Sequence, residues 1–377
     1  MVALYVHWPF CKKKCPYCDF NSHVRREAID EEGFKNALIA DLNYDAGRIE
    51  RTPISSIFFG GGTPSLMSPS TVEAVIDRAQ NLFSFTNDIE ITLEANPTSS
   101  ESDKFKGFKS AGVNRLSLGV QSLNDTDLQR LGREHSAIEA LRAVEIAQNV
   151  FDRWSFDMMY AREGQTLDKW TAELEQAVGY IGGHVSLYQL TMEAGTDFKR
   201  RFDKGELILP DEDLATDMYT ATGEVLSSLG YDNYEVSNYA KSGDESKHNL
   251  TYWRYGDYMG VGAGAHGRIT TEAVKLATVR QAIPEKWCKS APNNLVSEDV
   301  LDKNSQAQEA ILMGLRLSEG LPESKIIAMI DMTFADIFDA KSFAVCVEQG
   351  LLILEDGILR ATPRGRLNLN SVLAYIF

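Results

Sequence analysis

Residues 5–20 run Tyr5-Val6-His7-Trp8-Pro9-Phe10-Cys11-Lys12-Lys13-Lys14-Cys15-Pro16-Tyr17-Cys18-Asp19-Phe20. From Leu4 to Trp8 a short apolar run predicts a buried strand, and the loop after it carries cysteines at C-x3-C-x2-C spacing. Thiolates this close can converge on one face of a 4Fe–4S cube, and three of them leave the fourth iron without a protein sulfur, open to an external chelating group. A structural zinc ion would instead want four protein ligands, with His7 or His23 as a remote partner, and plain buried thiols are the third reading. Of the two remaining cysteines, Cys288 lies in a polar segment. Cys346 lies in an apolar, helix-like run and reads as a small core residue.

Beyond this loop, short β-rich runs alternate with longer amphipathic stretches to about residue 235, the pattern of βα units around a parallel sheet. Strands are predicted near Leu4–Trp8, Ser56–Phe59, Ile89–Glu94, Arg115–Gly119, Ser155–Met159 and Val185–Leu190. Helices are predicted at Glu31–Leu42, Pro69–Leu82, Ser136–Gln148, Leu167–Val178 and Asp211–Leu229, several opened by Asp, Ser or Thr caps. The fold class expected is α/β, a partial or complete TIM-like (βα) barrel. Polar residues recur just after the strands, at Gly60–Pro64, Glu94, Gln121 and Asp157, where such barrels bind ligands.

The pattern changes after about residue 270, where Pro284, Pro292, Asn293 and Asn294 punctuate a polar segment before an apolar-periodic helix from Gln306 to Leu317. The division expected is a barrel with its extension over 1–280 and a smaller, mostly helical C-terminal domain over 300–377. Its end, an Asp356-Gly357 hairpin and a closing helix from Thr362 to Ala374, is winged-helix-like. A structural or partner-docking role is favoured there over DNA binding, because 38 Lys and Arg against 54 Asp and Glu give the 377-residue chain a net charge of −16. No nucleic acid is expected as a partner. No run approaches the roughly 18 apolar residues of a membrane span, and no signal or transit peptide is visible. Five cysteines without a disulfide framework point to a reducing, cytoplasmic compartment, where the Asn249-Leu250-Thr251 sequon is a chance match.

The cysteine spacing resembles that of the radical S-adenosylmethionine (SAM) family, whose cluster holds the amino and carboxyl groups of SAM on its open iron. The wider run from Tyr5 to Phe20 is similar to the branch containing oxygen-independent coproporphyrinogen III oxidase and its haem-chaperone relatives. The resemblance implies a cluster on Cys11, Cys15 and Cys18, and a SAM pocket to which Tyr5 also belongs. It places Gly61, Gly62 and Thr63, within Gly60-Gly61-Gly62-Thr63-Pro64, at the methionine amino group, and three glycines there permit close backbone approach. It implies Glu94 beside the SAM amino-acid part, and Gln121, Arg133 and Asp157 near the ribose or carboxylate, for which an arginine fork and amide or carboxylate groups are suited. One departure is local: Tyr160-Ala161-Arg162-Glu163-Gly164-Gln165-Thr166 stands where the family commonly has Gly-Leu-Pro before Gly-Gln-Thr.

Within that branch two features point away from the oxidase. Phe20 occupies the place where the oxidases carry a further cysteine, and Tyr231 to Tyr239 replaces their Gln-Gly-Phe-Gln-type segment. His248-Asn249-Leu250-Thr251-Tyr252-Trp253 resembles the His-Asn-x-x-Tyr signature of the haem chaperones instead. The resemblance implies His248 as an axial ligand of haem b, with Tyr252, Trp253 and Tyr255 offering π surface; the other reading is that His248 only ties down a loop. Ser246 and Lys247 stand where a cysteine is common, so a second ligand would be His266 or a more distant group. His7 is expected to hydrogen-bond near the cluster rather than ligate it. Two functions follow: a haem chaperone that passes haem to apo-haemoproteins of the respiratory chain, or a SAM-cleaving oxidase acting on a coproporphyrinogen propionate. An electron donor such as flavodoxin or ferredoxin is implied in either case. A tRNA-modifying role is disfavoured by the net charge.

Overall fold

In the computed structural model, which describes residues 1–25, 28–49, 52–271 and 274–377, the expected strands form one large sheet. They are β1 (Val2–Trp8), β2 (Ile54–Gly61), β3 (Phe85–Ala95), β4 (Arg115–Gln121), β5 (Arg153–Tyr160) and β6 (His184–Gln189). Each pairs in parallel with the next. Six of the seven residues of β1 are buried, the near-continuous apolar character of a strand covered on both faces. The crossover helices start where the sequence places their caps. Ser68 accepts from Thr71 N, Ser136 forms a capping box with Glu139, and Asp211 accepts from Leu214 N.

Six further strands of this sheet were not legible as such. β9 (Asp257–Gly262) lies parallel to β1 on the side away from β2, and β10 (His266–Thr271), β11 (Val274–Arg280) and β12 (Leu295–Val300) continue antiparallel from it. The polar segment after residue 270 is therefore mostly sheet and one helix, Pro284–Ser290, rather than a linker. At the other end β8 (Asn238–Ala240) and β7 (Asp232–Glu235) close the order β12-β11-β10-β9-β1-β2-β3-β4-β5-β6-β8-β7. Among the described residues the two ends do not pair, so the barrel is a partial one. Its core takes residues from Val2 to Trp287.

The C-terminal region has its own core of Ala307, Ile311, Leu315, Ile326, Leu359, Val372 and neighbours, which Tyr255 joins from the barrel side. Helix Lys303–Gly314 begins and ends three residues before the expected Gln306–Leu317, because Asp302 caps it by accepting from Ser305 N. The hairpin Leu352–Glu355 with Ile358–Ala361 turns at Asp356 and Gly357, both at positive φ, and Leu321–Pro322 adds a third strand. The expected closing helix is two, Pro363–Leu367 and Leu369–Ile376, separated at Asn368. Arg254 holds Glu319 through two bonds of 2.7 and 2.8 Å across the junction, and Arg316 holds Glu235 at 3.0 Å.

Candidate functional site

Parallel register sets Gly60 and Gly61 of β2 beside His7 and Trp8 of β1, so the glycine run meets the backbone entering the cysteine loop. Gly62 N–H donates to Trp8 O at 2.7 Å and Thr63 N–H to Phe10 O at 2.8 Å. Gly61 has φ +112°, and a Cβ there would lie 2.6 Å from the His7 ring; one at Gly62 would lie 2.7 Å from Phe10 O. Glycine is required at Gly61 by contact and by conformation, and at Gly62 by contact.

The cysteine loop is fastened at several points. Cys18 N–H donates to Cys15 O at 3.2 Å, and Phe198 N–H to Pro16 O at 2.9 Å. Asn21 Nδ2 donates at 2.9 Å to both Ala263 O and Ala282 O. His7 acts as expected of a supporting group: Nε2 donates to Asn21 O at 2.9 Å, leaving Nδ1 to accept from the Tyr5 hydroxyl at 2.9 Å. Cys11, Cys15 and Cys18 are partly exposed and line one cavity of about 360 Å³. Thr63 Oγ1 donates to Cys11 Sγ and Arg133 Nη1 to Cys15 Sγ, each at 3.5 Å. Burial pushes the Cys11 and Cys18 thiols up, while the Thr63 hydroxyl pulls Cys11 the other way. Partly exposed sulfurs on one loop, with donors aimed at two of them, suit a cluster that takes one thiolate per iron. Among the described residues no three His, Cys, Asp or Glu side chains are gathered to hold a metal ion.

Gly61, Gly62, Thr63, Glu94, Gln121, Arg133 and Asp157 line the same cavity. Arg133 donates through Nη2 to Gly119 O at 2.8 Å and Asn96 Oδ1 at 2.5 Å, and Asn96 Nδ2 reaches Thr63 Oγ1 at 3.2 Å. Asn96 is the functional link that its motif position did not reveal. Arg133 Nε is buried without a partner, a donor left for a ligand carboxylate or hydroxyl. Burial, then the nearby Asp157 carboxylate, raises Glu94 to about 8; burial raises Asp157 to about 6. Gln121 ends β4 at φ 70°, a strained position for a residue with a side chain. Arg162 Nη1 donates to its carbonyl at 3.3 Å, and Arg162 is itself paired with Glu173 and, at 3.2 Å, Asp127. In this loop Ala161 adopts φ 56°, and the buried Arg162 fastens it through the contacts just given.

Tyr5 and His248 stand apart from the cavity lining. The helix Lys247–Trp253 packs against β2, and His248, 1% exposed, stacks on Phe58 at 5.0 Å with Tyr252 edge-on at 4.9 Å. Its Nδ1 pairs with Ser56 Oγ at 3.0 Å and its Nε2 with Tyr252 OH at 2.8 Å, so neither ring nitrogen is open to an iron in this conformation. Burial lowers it to about 3, a neutral imidazole. Tyr5 lies between, 6.4 Å from the His248 ring and bonded to His7. His266 is exposed on β10 and does not line the cavity. His184 is buried between Ser155 and Tyr234, at 2.8 Å from each.

Comparison with known proteins agrees with this geometry. The chain matches the family described as Radical SAM superfamily over residues 5–177 and the HemN C-terminal domain over residues 301–367. Heme chaperone HemW of Haemophilus influenzae is 37% identical over 99% of this chain and 97% of its own. The mitochondrial Radical S-adenosyl methionine domain-containing protein 1 of Bos taurus is 39% identical over 98% of this chain and 86% of its own. Coproporphyrinogen III oxidase (HemN) from Escherichia coli shares the fold, with a TM-score of 0.82 at 22% identity over 99% of this chain and 89% of its own. The chain belongs to the radical SAM superfamily, within the full-length group of its haem chaperone relatives.

Proposed function

We propose that this chain binds haem b and hands it to apo-haemoproteins, respiratory ones among them, with a 4Fe–4S cluster on Cys11, Cys15 and Cys18 and SAM in the adjoining pocket. The observation that carries the reading is the gathering of these thiols and Gly61, Gly62, Thr63, Glu94, Gln121, Arg133 and Asp157 on one cavity, in a chain matched end to end by haem chaperones. When bound, cluster and SAM supply one-electron reductive chemistry. The chain's own residues orient and desolvate. Arg133 offers Nε–H to a carboxylate or hydroxyl, ionised Glu94 can hold an ammonium, and Thr63 and Arg133 donate to the cluster sulfurs. Residues 1–280 would form the cofactor-binding part and 300–377 the accessory domain, with flavodoxin or ferredoxin as the donor.

Among the described residues no helix is long and apolar enough to cross a membrane. The Bos taurus relative is mitochondrial, so cysteine usage supports a reducing compartment rather than the cytoplasm as such. The test is transfer. Haem-loaded protein is mixed with an apo-haemoprotein in the presence of a haem-scavenging protein, and the acceptor's Soret band is followed. Acceptor filling ahead of the scavenger is expected; loss of all haem to the scavenger overturns the reading.

A further inference from the structure

Resting on the haem reading just given, the geometry assigns the haem to the mouth of the cysteine-lined cavity. We propose that the macrocycle lies across Phe20, Met159 and Tyr188, with its propionates toward Lys13 and Lys14. All five residues line that one cavity.

The argument begins with exposure. Phe20 is 58% exposed at the end of the cysteine loop and Tyr188 36% exposed on β6, so two aromatic rings are offered to one opening. Large apolar side chains left open at a cavity mouth mark a ligand surface rather than a core. Glu94, Gln121, Arg133 and Asp157 make one part of the lining polar, and Met159 adds an apolar side chain to the aromatic pair. A flat apolar molecule with anionic substituents at one edge fits the rim, and the polar wall stays available to SAM.

Charge gives the orientation. The molecule carries −16 overall, yet Lys12, Lys13 and Lys14 are consecutive and exposed. Lys14 Nζ donates to the backbone carbonyl of Phe20 at 3.5 Å, which ties a cation to the chain at the exposed aromatic residue. Asp19 and Glu193 share the rim; Glu193 accepts from Thr191 Oγ1 at 2.9 Å, on the β6 side. Propionates therefore face the lysine side. The alternative seat at His248 is closed, since that ring is buried with both nitrogens engaged.

The test is haem titration of the reconstituted protein by absorbance, with iron and sulfide content and SAM binding measured on every variant. Lys13→Glu/Lys14→Glu and, separately, Phe20→Glu are each expected to bind haem about tenfold or more weakly while keeping cluster and SAM. Haem dimethyl ester, whose propionates are masked, is expected to bind wild type more weakly than haem by a similar factor. This arm is independent of folding in the variants. His248→Gln is expected to titrate as wild type. Unchanged affinity in the rim variants together with equal binding of the ester overturns the assignment, as does loss of haem from His248→Gln alone. Failure of wild type to bind haem at all would instead overturn the chaperone reading.

Discussion

Glu94 shows how a single side chain turns burial into function. Its carboxyl is raised to about 8 by desolvation and by Asp157, so in the ligand-free cavity it is largely protonated at neutral pH. Pairing with a ligand ammonium requires loss of that proton, and SAM affinity should therefore rise as the pH climbs toward and through about 8. Equilibrium binding across this range checks the sign, with Glu94→Gln expected to flatten the slope; a wild-type affinity falling with pH would contradict it. The same shift makes the ligand-free fold lose stability as pH rises from 4.5 to about 8, because the unfolded chain releases its proton first. Gly61 is the other residue whose role is local. With φ +112° and the His7 ring 2.6 Å from any Cβ, Gly61→Ala should cost about 1–3 kcal/mol in denaturant unfolding and reduce cluster loading.

At the scale of elements, the helix Lys247–Trp253 is the part whose place the residues alone did not disclose. His248-Asn249-x-x-Tyr252 is visible as a signature, but not that its imidazole is inserted between Ser56, Phe58 and Tyr252. His248→Ala should destabilise by about 2–4 kcal/mol, from a cavity and two hydroxyls left unpaired. Because the folded value, about 3, lies below the ordinary 6.5, the unfolded chain takes up the proton first. Stability present above pH 6.5 should thus be lost as the pH falls, and the loss should be smaller in His248→Ala. A variant as stable as wild type, measured by denaturant unfolding, would place the ring in a looser setting than the one described. Strands such as β1 and β4 were legible because nearly every residue is buried and short apolar runs mark them. β9 was not, because Gly260 and Gly262 mask a strand in which close contact excludes side chains: a Cβ at Gly260 would lie 2.0 Å from His266 O. The SAM-side residues were legible as motifs in chain order, whereas Asn96 and Arg162 act through contacts that only the fold creates.

Across the whole molecule, the barrel and the C-terminal region are joined by a small set of polar contacts and by Tyr255. Arg316, 28% exposed, neutralises Glu235, which is fully buried and also accepts from Ser237 N–H at 2.9 Å. Arg316→Leu should cost about 2–3 kcal/mol, less than a fully buried pair because water reaches the arginine, and Glu235→Leu added to it should restore part of that loss. Denaturant unfolding of both variants reads the difference, and an unchanged single variant would contradict it. A shared fold with coproporphyrinogen III oxidase does not transfer that activity, since function lies in the site. Haem binding rather than decarboxylation is proposed from Phe20 in the cysteine loop and from the haem-chaperone relatives. The direct measurement is anaerobic reconstitution with iron and sulfide, followed in the same tubes by haem titration and assay of coproporphyrinogen decarboxylation and 5′-deoxyadenosine. Stoichiometric haem binding without decarboxylation is the expected result; decarboxylation with haem held no better than by an unrelated protein would contradict the account.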